Sequence, residues 1–162
     1  MYFPVSPVKL MVMSICTSSL YVFYWTYKNW RLIKLREASN ISPVARTLFS
    51  VYYCYPLFLN VRCTASRNNI DVTLPAGPLA VAWIITALLV VLPDPYWLIT
   101  YIATIFLLPV QVAANKVNET VTPDHKRNED YSAANIATII IGGLFFLTGT
   151  IGTFFLPASV VV

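Results

Sequence analysis

Charge is what this chain has least of. Only 11% of its 162 residues are Asp, Glu, Lys or Arg, against about 25% in an ordinary soluble domain. Residues 77–114 hold a single charge, Asp94, and residues 131–162 hold none. With 57% hydrophobic residues and a mean hydropathy of +0.66, most of the surface need not face water. One histidine, His125, stands in "TPDHKRNED" with no other His or Cys near it, whereas a metal site needs several ligands at fixed spacing. Asp124, Glu129 and Asp130 alternate with Lys126 and Arg127 there, as in a solvated charge run. No nucleophile elbow, phosphate-cradling glycine loop or carboxylate pair occurs. These gaps predict no catalytic residues, no metal and no cofactor. Three cysteines, Cys16, Cys54 and Cys63, form no CxxC pair, and reduced structural thiols are expected.

What is present lies in blocks. The apolar runs predict an all-α membrane protein with four transmembrane helices and one further aromatic helix, in a single integral domain. The spans are expected at 7–27, 77–92, 96–114 and 133–156, where about 20 mainly apolar residues suffice to cross. The first begins "SPVKLMVM", with Ser6 placed to cap and Pro7 suited to the first turn. No small-residue cleavage site precedes "YVFYWTY", so this segment reads as an uncleaved anchor. "PDP" at Pro93–Pro95 forces a reversal that pairs the second and third spans.

The segment 43–60 repeats the Ser-Pro start at Ser42 and Pro43, yet its uninterrupted apolar core is only about ten residues. It is a fifth span, a re-entrant piece or an interfacial helix. The positive-inside rule favours the interfacial reading, with 28–76 and 115–132 cytoplasmic and both termini outside. Lys9 then stands alone on the other side, near enough to a helix end to snorkel. The linker 62–75 reads as a loop.

Three features carry functional expectations. "YWTYKNWRLIKLR" sets Tyr24, Trp25, Tyr27 and Trp30 where a helix should leave the hydrocarbon, followed by Lys28, Arg31, Lys34 and Arg36 within reach of lipid headgroups or a partner. Although the chain carries a net +4, this distribution is a topology signal and predicts no nucleic-acid partner. Pro109 removes a helical hydrogen bond and deprives the Ile105 carbonyl of its donor. Gln111, Asn115 and Asn118 then share one helix face, either as a polar site or as a helix end entering water. Finally Ala134, Thr138, Gly142, Gly149, Gly152 and Thr153 form a small-residue stripe suited to helix packing in lipid, within the chain or against another protein.

The opening third resembles a family of small uncharacterised bacterial membrane proteins with a "VSxxKLxVMSxxT" start, a Tyr-Trp-x-Tyr-Lys-Asn-Trp block and "ISP". The residues carrying the resemblance are Val5, Ser6, Lys9, Leu10, Val12, Met13, Ser14, Thr17, Tyr24, Trp25, Tyr27, Lys28, Asn29, Trp30, Ile41, Ser42 and Pro43. Where that family has an aromatic-glycine pair before the first Leu-Tyr, this chain has Ser18-Ser19. The resemblance implies a multi-pass protein of the bacterial inner membrane, with no activity attached. The expected function is association, as an accessory or structural subunit of a membrane assembly or as a self-associating module. Its partners are membrane lipids and other membrane subunits or itself. A transporter or channel formed by an oligomer, and a membrane-enzyme subunit, are the alternatives.

Overall fold

The computed structural model describes residues 1–155, and these are all-α. Helices α1 (Pro7–Cys16) and α2 (Leu20–Arg36) are followed by α3 (Pro43–Leu48), α4 (Ser50–Arg67) and α5 (Ala76–Leu88). A 3-10 turn at Leu89–Val91 and a 3-10 helix at Tyr96–Leu107 lead into α6 (Leu108–Val121), and α7 occupies Ala133–Phe155. Both Ser-Pro starts do what their spacing predicts: Ser6 accepts from Lys9 N–H, and Ser42 from Ala45 N–H.

Among the described residues two helices, not four, are long and apolar enough to cross a membrane: the combined Tyr96–Val121 helix and α7. The first expected span fails because it is broken. Ser18 and Ser19 take left-handed φ values of 47° and 69°, which stops α1 at Cys16 and turns the chain back on itself. Phe3 N–H donates to Asn29 Oδ1, and the Phe3 and Tyr24 rings meet edge to face at 5.5 Å, so α1 and α2 form an antiparallel hairpin. At about 1.5 Å per residue, α1 reaches only about 15 Å. The second expected span is 13 α-helical residues extended by its 3-10 turn.

The 43–60 segment is a second hairpin rather than one helix. The chain leaves α2 at Glu37 and returns to it at Asn60, whose side-chain N–H donates to Glu37 Oε1 at 3.0 Å. Helix α4 also continues to Arg67, so the first part of the expected 62–75 loop is helical. The turn at Pro93–Pro95 stands as expected, with Asp94–Pro95 in the cis form. Beyond it, the Pro109 kink gives way to a change of winding. Tyr96–Leu107 is 3-10, so the Ile105 carbonyl accepts from Leu108 N–H and Pro109 falls in the first turn of α6, where its missing donor costs nothing. The 3-10 rise of about 2.0 Å per residue lets these twelve residues cover about 24 Å.

One end of the molecule therefore gathers the N-terminal residues, the α2–α3 junction, the upper part of α4, the end of α6 and the 122–132 connection. Arg36, against the Tyr2 ring, and Lys9, bonded to Asn128 and Asp130, belong to this end. Lys9 is not snorkelling at the opposite end. It is 1% exposed, with Nζ donating to Asn128 Oδ1 at 2.9 Å and the Asp130 carbonyl at 2.7 Å. The expectation that Lys9 lies at the opposite end from the 115–132 connection is corrected accordingly. The part of the fourth span at Leu156 lies outside the described residues.

Candidate functional site

The polar face of α6 is where the N-terminal residues are held. Gln111 is fully buried. Its Oε1 accepts from Trp25 Nε1 at 2.5 Å, and its Nε2 donates to the Phe3 carbonyl and to Asn115 Oδ1. Asn115 Nδ2 in turn donates to the Val5 carbonyl at 2.9 Å. Asn118, also fully buried, accepts from Tyr2 N–H and donates to the Tyr2 carbonyl. Spacings of four and three put these amides on one face, as the sequence indicates, and they clasp Tyr2–Val5 as a strap along α6.

The strap continues into a charged corner. Tyr2 Oη donates to Asn60 and lies 2.7 Å from Thr64 Oγ1, while the Arg36 guanidinium lies 4.8 Å from the Tyr2 ring centroid. Arg36 also pairs with Glu37 at 2.9 Å. Hydrogen bonds from Asn60 and Arg36 hold the Glu37 carboxyl below its ordinary value, with burial opposing. Burial raises the Tyr2 phenol, with its Thr64 hydrogen bond opposing.

The aromatic-basic block divides by face. Trp25 and Trp30 are each 2% exposed, so they are core residues and not boundary aromatics. Tyr24 is exposed, with Lys28 Nζ 5.3 Å from its ring centroid, and Tyr27 is half-buried. Arg31 is exposed and Lys34 half-buried. Arg46, from α3, stacks over Trp30 at 4.3 Å and Tyr53 at 5.1 Å, which places α3 against α2. Sequence reasoning missed this arginine because its aromatic partners lie on two other helices.

The small-residue stripe on α7 also divides. A Cβ on Gly142 would collide with the Cys16 carbonyl oxygen, so this glycine allows α7 to pack directly on the backbone of α1. A Cβ on Gly149 meets nothing within 4 Å. Ala134 is exposed, and Thr138, Gly152 and Thr153 are intermediate. The threonine hydroxyls of 138 and 153 donate to carbonyls four residues back in their own helix.

No family model, curated protein or solved structure matches this chain. The site therefore rests on its own geometry, and that geometry includes one large cavity. Beyond the tips of the two N-terminal hairpins lies a space of about 660 Å³, walled by α2, α4, α5, the 3-10 helix and α7. Its aromatic wall includes Trp83, Trp97, Tyr101 and Phe146, and Ser18, Ser19, Thr26, Ser50 and Thr104 bring hydroxyls to it. None of its lining residues is ionisable at neutral pH. No sequence signal marks it, because its walls come from five separate elements.

Proposed function

We propose that the chain is an integral protein of the bacterial inner membrane that acts by association, as a structural or accessory subunit or as a self-associating module. The observation that carries this reading is the state of α7. None of its 23 residues is buried, and it is fastened along one side, at Gly142 against Cys16 and at Phe146 against the Tyr101 ring, 4.9 Å away. Ile140, Ile141, Leu144, Leu147 and Ile151 stand exposed on it, and four of them, at spacings of four, three and four, share the face opposite Gly142 and Gly149. Helices associate in lipid through van der Waals packing of such unpartnered faces.

In this arrangement α7 and the hairpin of α5 with the 3-10 helix and α6 cross the bilayer. The α1–α2 and α3–α4 hairpins enter from the basic, cytoplasmic side and turn back. The N-terminal strap and the connections 37–42, 68–75 and 122–132 then all face the cytoplasm, in keeping with the distribution of Lys and Arg. A conduit lined by Gln111 and Asn115 is less well supported, because their amides are engaged by the chain's own backbone and Trp25.

Mass measurement of the protein extracted from native membranes in mild detergent tests the association. A dimer, or a complex with a co-extracted membrane protein, is expected, and Leu144→Ala with Leu147→Ala, on the exposed face, should weaken it. A monomer without partner in native membranes would sink the reading.

A further inference from the structure

We infer that the 660 Å³ cavity is a binding site for a neutral lipid with a planar, carbonyl-bearing head, a prenylated quinone, entering from the bilayer. The inference rests on the membrane placement above but not on any protein partner.

Size and lining set the class first. Small-molecule sites occupy about 300–1,000 Å³, are mainly apolar and aromatic, and carry a few polar groups that orient the ligand. This cavity fits that description, and its lack of charged groups excludes a phosphate or carboxylate head, whose burial without a counter-charge is prohibitive.

Depth narrows the class. Trp83 and Val90, both in the wall, lie seven and fourteen residues beyond the start of α5 at Ala76. At about 1.5 Å per residue this is about 10–21 Å below the cytoplasmic boundary, near the middle of a hydrocarbon layer about 30 Å thick. A phospholipid can send acyl chains to this depth but not its headgroup. Yet the depth is where the hydroxyls collect. Thr26 and Thr104 are 4% and 2% exposed, and Ser18 and Ser19 are brought there by two consecutive left-handed residues. Hydroxyls at mid-bilayer suit a ligand whose own polar group is uncharged and travels within the hydrocarbon.

Shape and access complete the assignment. Carbonyl oxygens accept from Ser and Thr hydroxyls, and a flat ring stacks against the Trp and Tyr faces. Phe23, Leu88, Val90 and Phe145 line the cavity and are 43%, 52%, 57% and 73% exposed, so its mouth opens sideways onto the lipid-facing belt. An apolar tail leaves by that opening.

The test uses the full chain in phosphatidylcholine nanodiscs, titrated with a decyl-substituted benzoquinone and followed by tryptophan fluorescence, since Trp83 and Trp97 line the site. Saturable quenching with one site per chain is expected. Gly149→Leu, whose side chain has open space and faces the cavity, should abolish the saturable component while helicity and thermal unfolding are retained. Thr104→Val and Thr26→Val keep shape but remove a donor, and each should weaken binding roughly three- to tenfold. These two variants keep the inference testable if Gly149→Leu fails to fold. Quenching that rises linearly without saturation, or saturates equally in the folded variants, would overturn it. So would equal competition by a long-chain alcohol lacking the ring, which would reduce the cavity to an acyl-chain crevice. The two readings fail separately: a monomeric protein that binds quinone refutes association alone, and an oligomer that does not bind refutes the site alone.

Discussion

At the scale of single residues, the molecule places its strain and its buried polarity in the same hairpin. Ser19 holds φ at 69°, a region that costs a residue with a Cβ about 1–2 kcal/mol and costs glycine nothing. Ser19→Gly should therefore raise stability by about 1 kcal/mol, visible as a higher unfolding temperature in detergent. A lower temperature would mean that the serine hydroxyl contributes more than the backbone loses. Gln111→Ala acts in the opposite direction. It strands Trp25 Nε1, the Phe3 carbonyl and Asn115 Oδ1 in a buried setting, and each orphaned group costs about 1–3 kcal/mol. A loss of at least about 3 kcal/mol is expected, with protease access to the first residues increasing in parallel; unchanged protection would show that the strap is held elsewhere. Glu37 gives the pH signature. Its folded carboxyl is held below the ordinary 4.5, so its contribution is fully present above about pH 4.5 and is lost as pH falls through the depressed value. The side chain is 40% exposed, which limits the effect to under about 1 kcal/mol. Glu37→Gln should flatten that part of the stability profile below pH 4.5, and an unchanged slope would assign it to another carboxylate.

At the scale of helices, the crossing of α1 and α7 depends on one atom that is absent. With the Cys16 carbonyl oxygen where a Gly142 Cβ would sit, even alanine must push the helices apart, whereas alanine at Gly149 meets nothing. The pair can be pinned instead. A Cβ at position 143 would lie 3.9 Å from Cys16 Sγ, so Gly143→Cys should form a disulfide with Cys16 on mild oxidation. After cleavage in the 122–132 connection, the two fragments should stay joined until reduced. Adding Gly142→Leu should suppress that bond if the glycine sets the crossing. What was legible in the sequence at this scale was local. The Ser-Pro caps, the reversal at Pro93–Pro95 and the shared face of Gln111, Asn115 and Asn118 all follow from neighbours within a few positions. The break at Ser18–Ser19 was hidden, because two serines inside an apolar run give no turn signal. The same blindness applied to the strap and to the Arg46 stack, since both join residues that meet only after the helices have packed.

For the whole molecule, the first hairpin decides which side the N-terminus faces. If α1 and α2 formed one span, Lys9 would sit opposite the other ten Lys and Arg. Instead Lys9 is bonded to Asn128 and Asp130, and Tyr2 to Asn118 and Asn60, so the N-terminal residues share an end with every basic connection. Positive charge is costly to translocate, and this arrangement leaves only Asp94 of the charged residues at the opposite end, within the Pro93–Pro95 turn. The arrangement predicts one exposed reporter position among several protected ones. In a background with Cys16, Cys54 and Cys63 replaced, Asp94→Cys should react with an impermeant maleimide in intact cells, while Asn68→Cys and Thr120→Cys should react only after lysis. A fluorescent domain that matures only in the cytoplasm, fused ahead of Met1, should be bright. A dark N-terminal fusion with Asn68 and Thr120 still protected would restore α1 and α2 to a single crossing. Labelling of Thr120 from outside would instead place residues 43–60 across the bilayer and dismantle the hairpin on which the cavity depends.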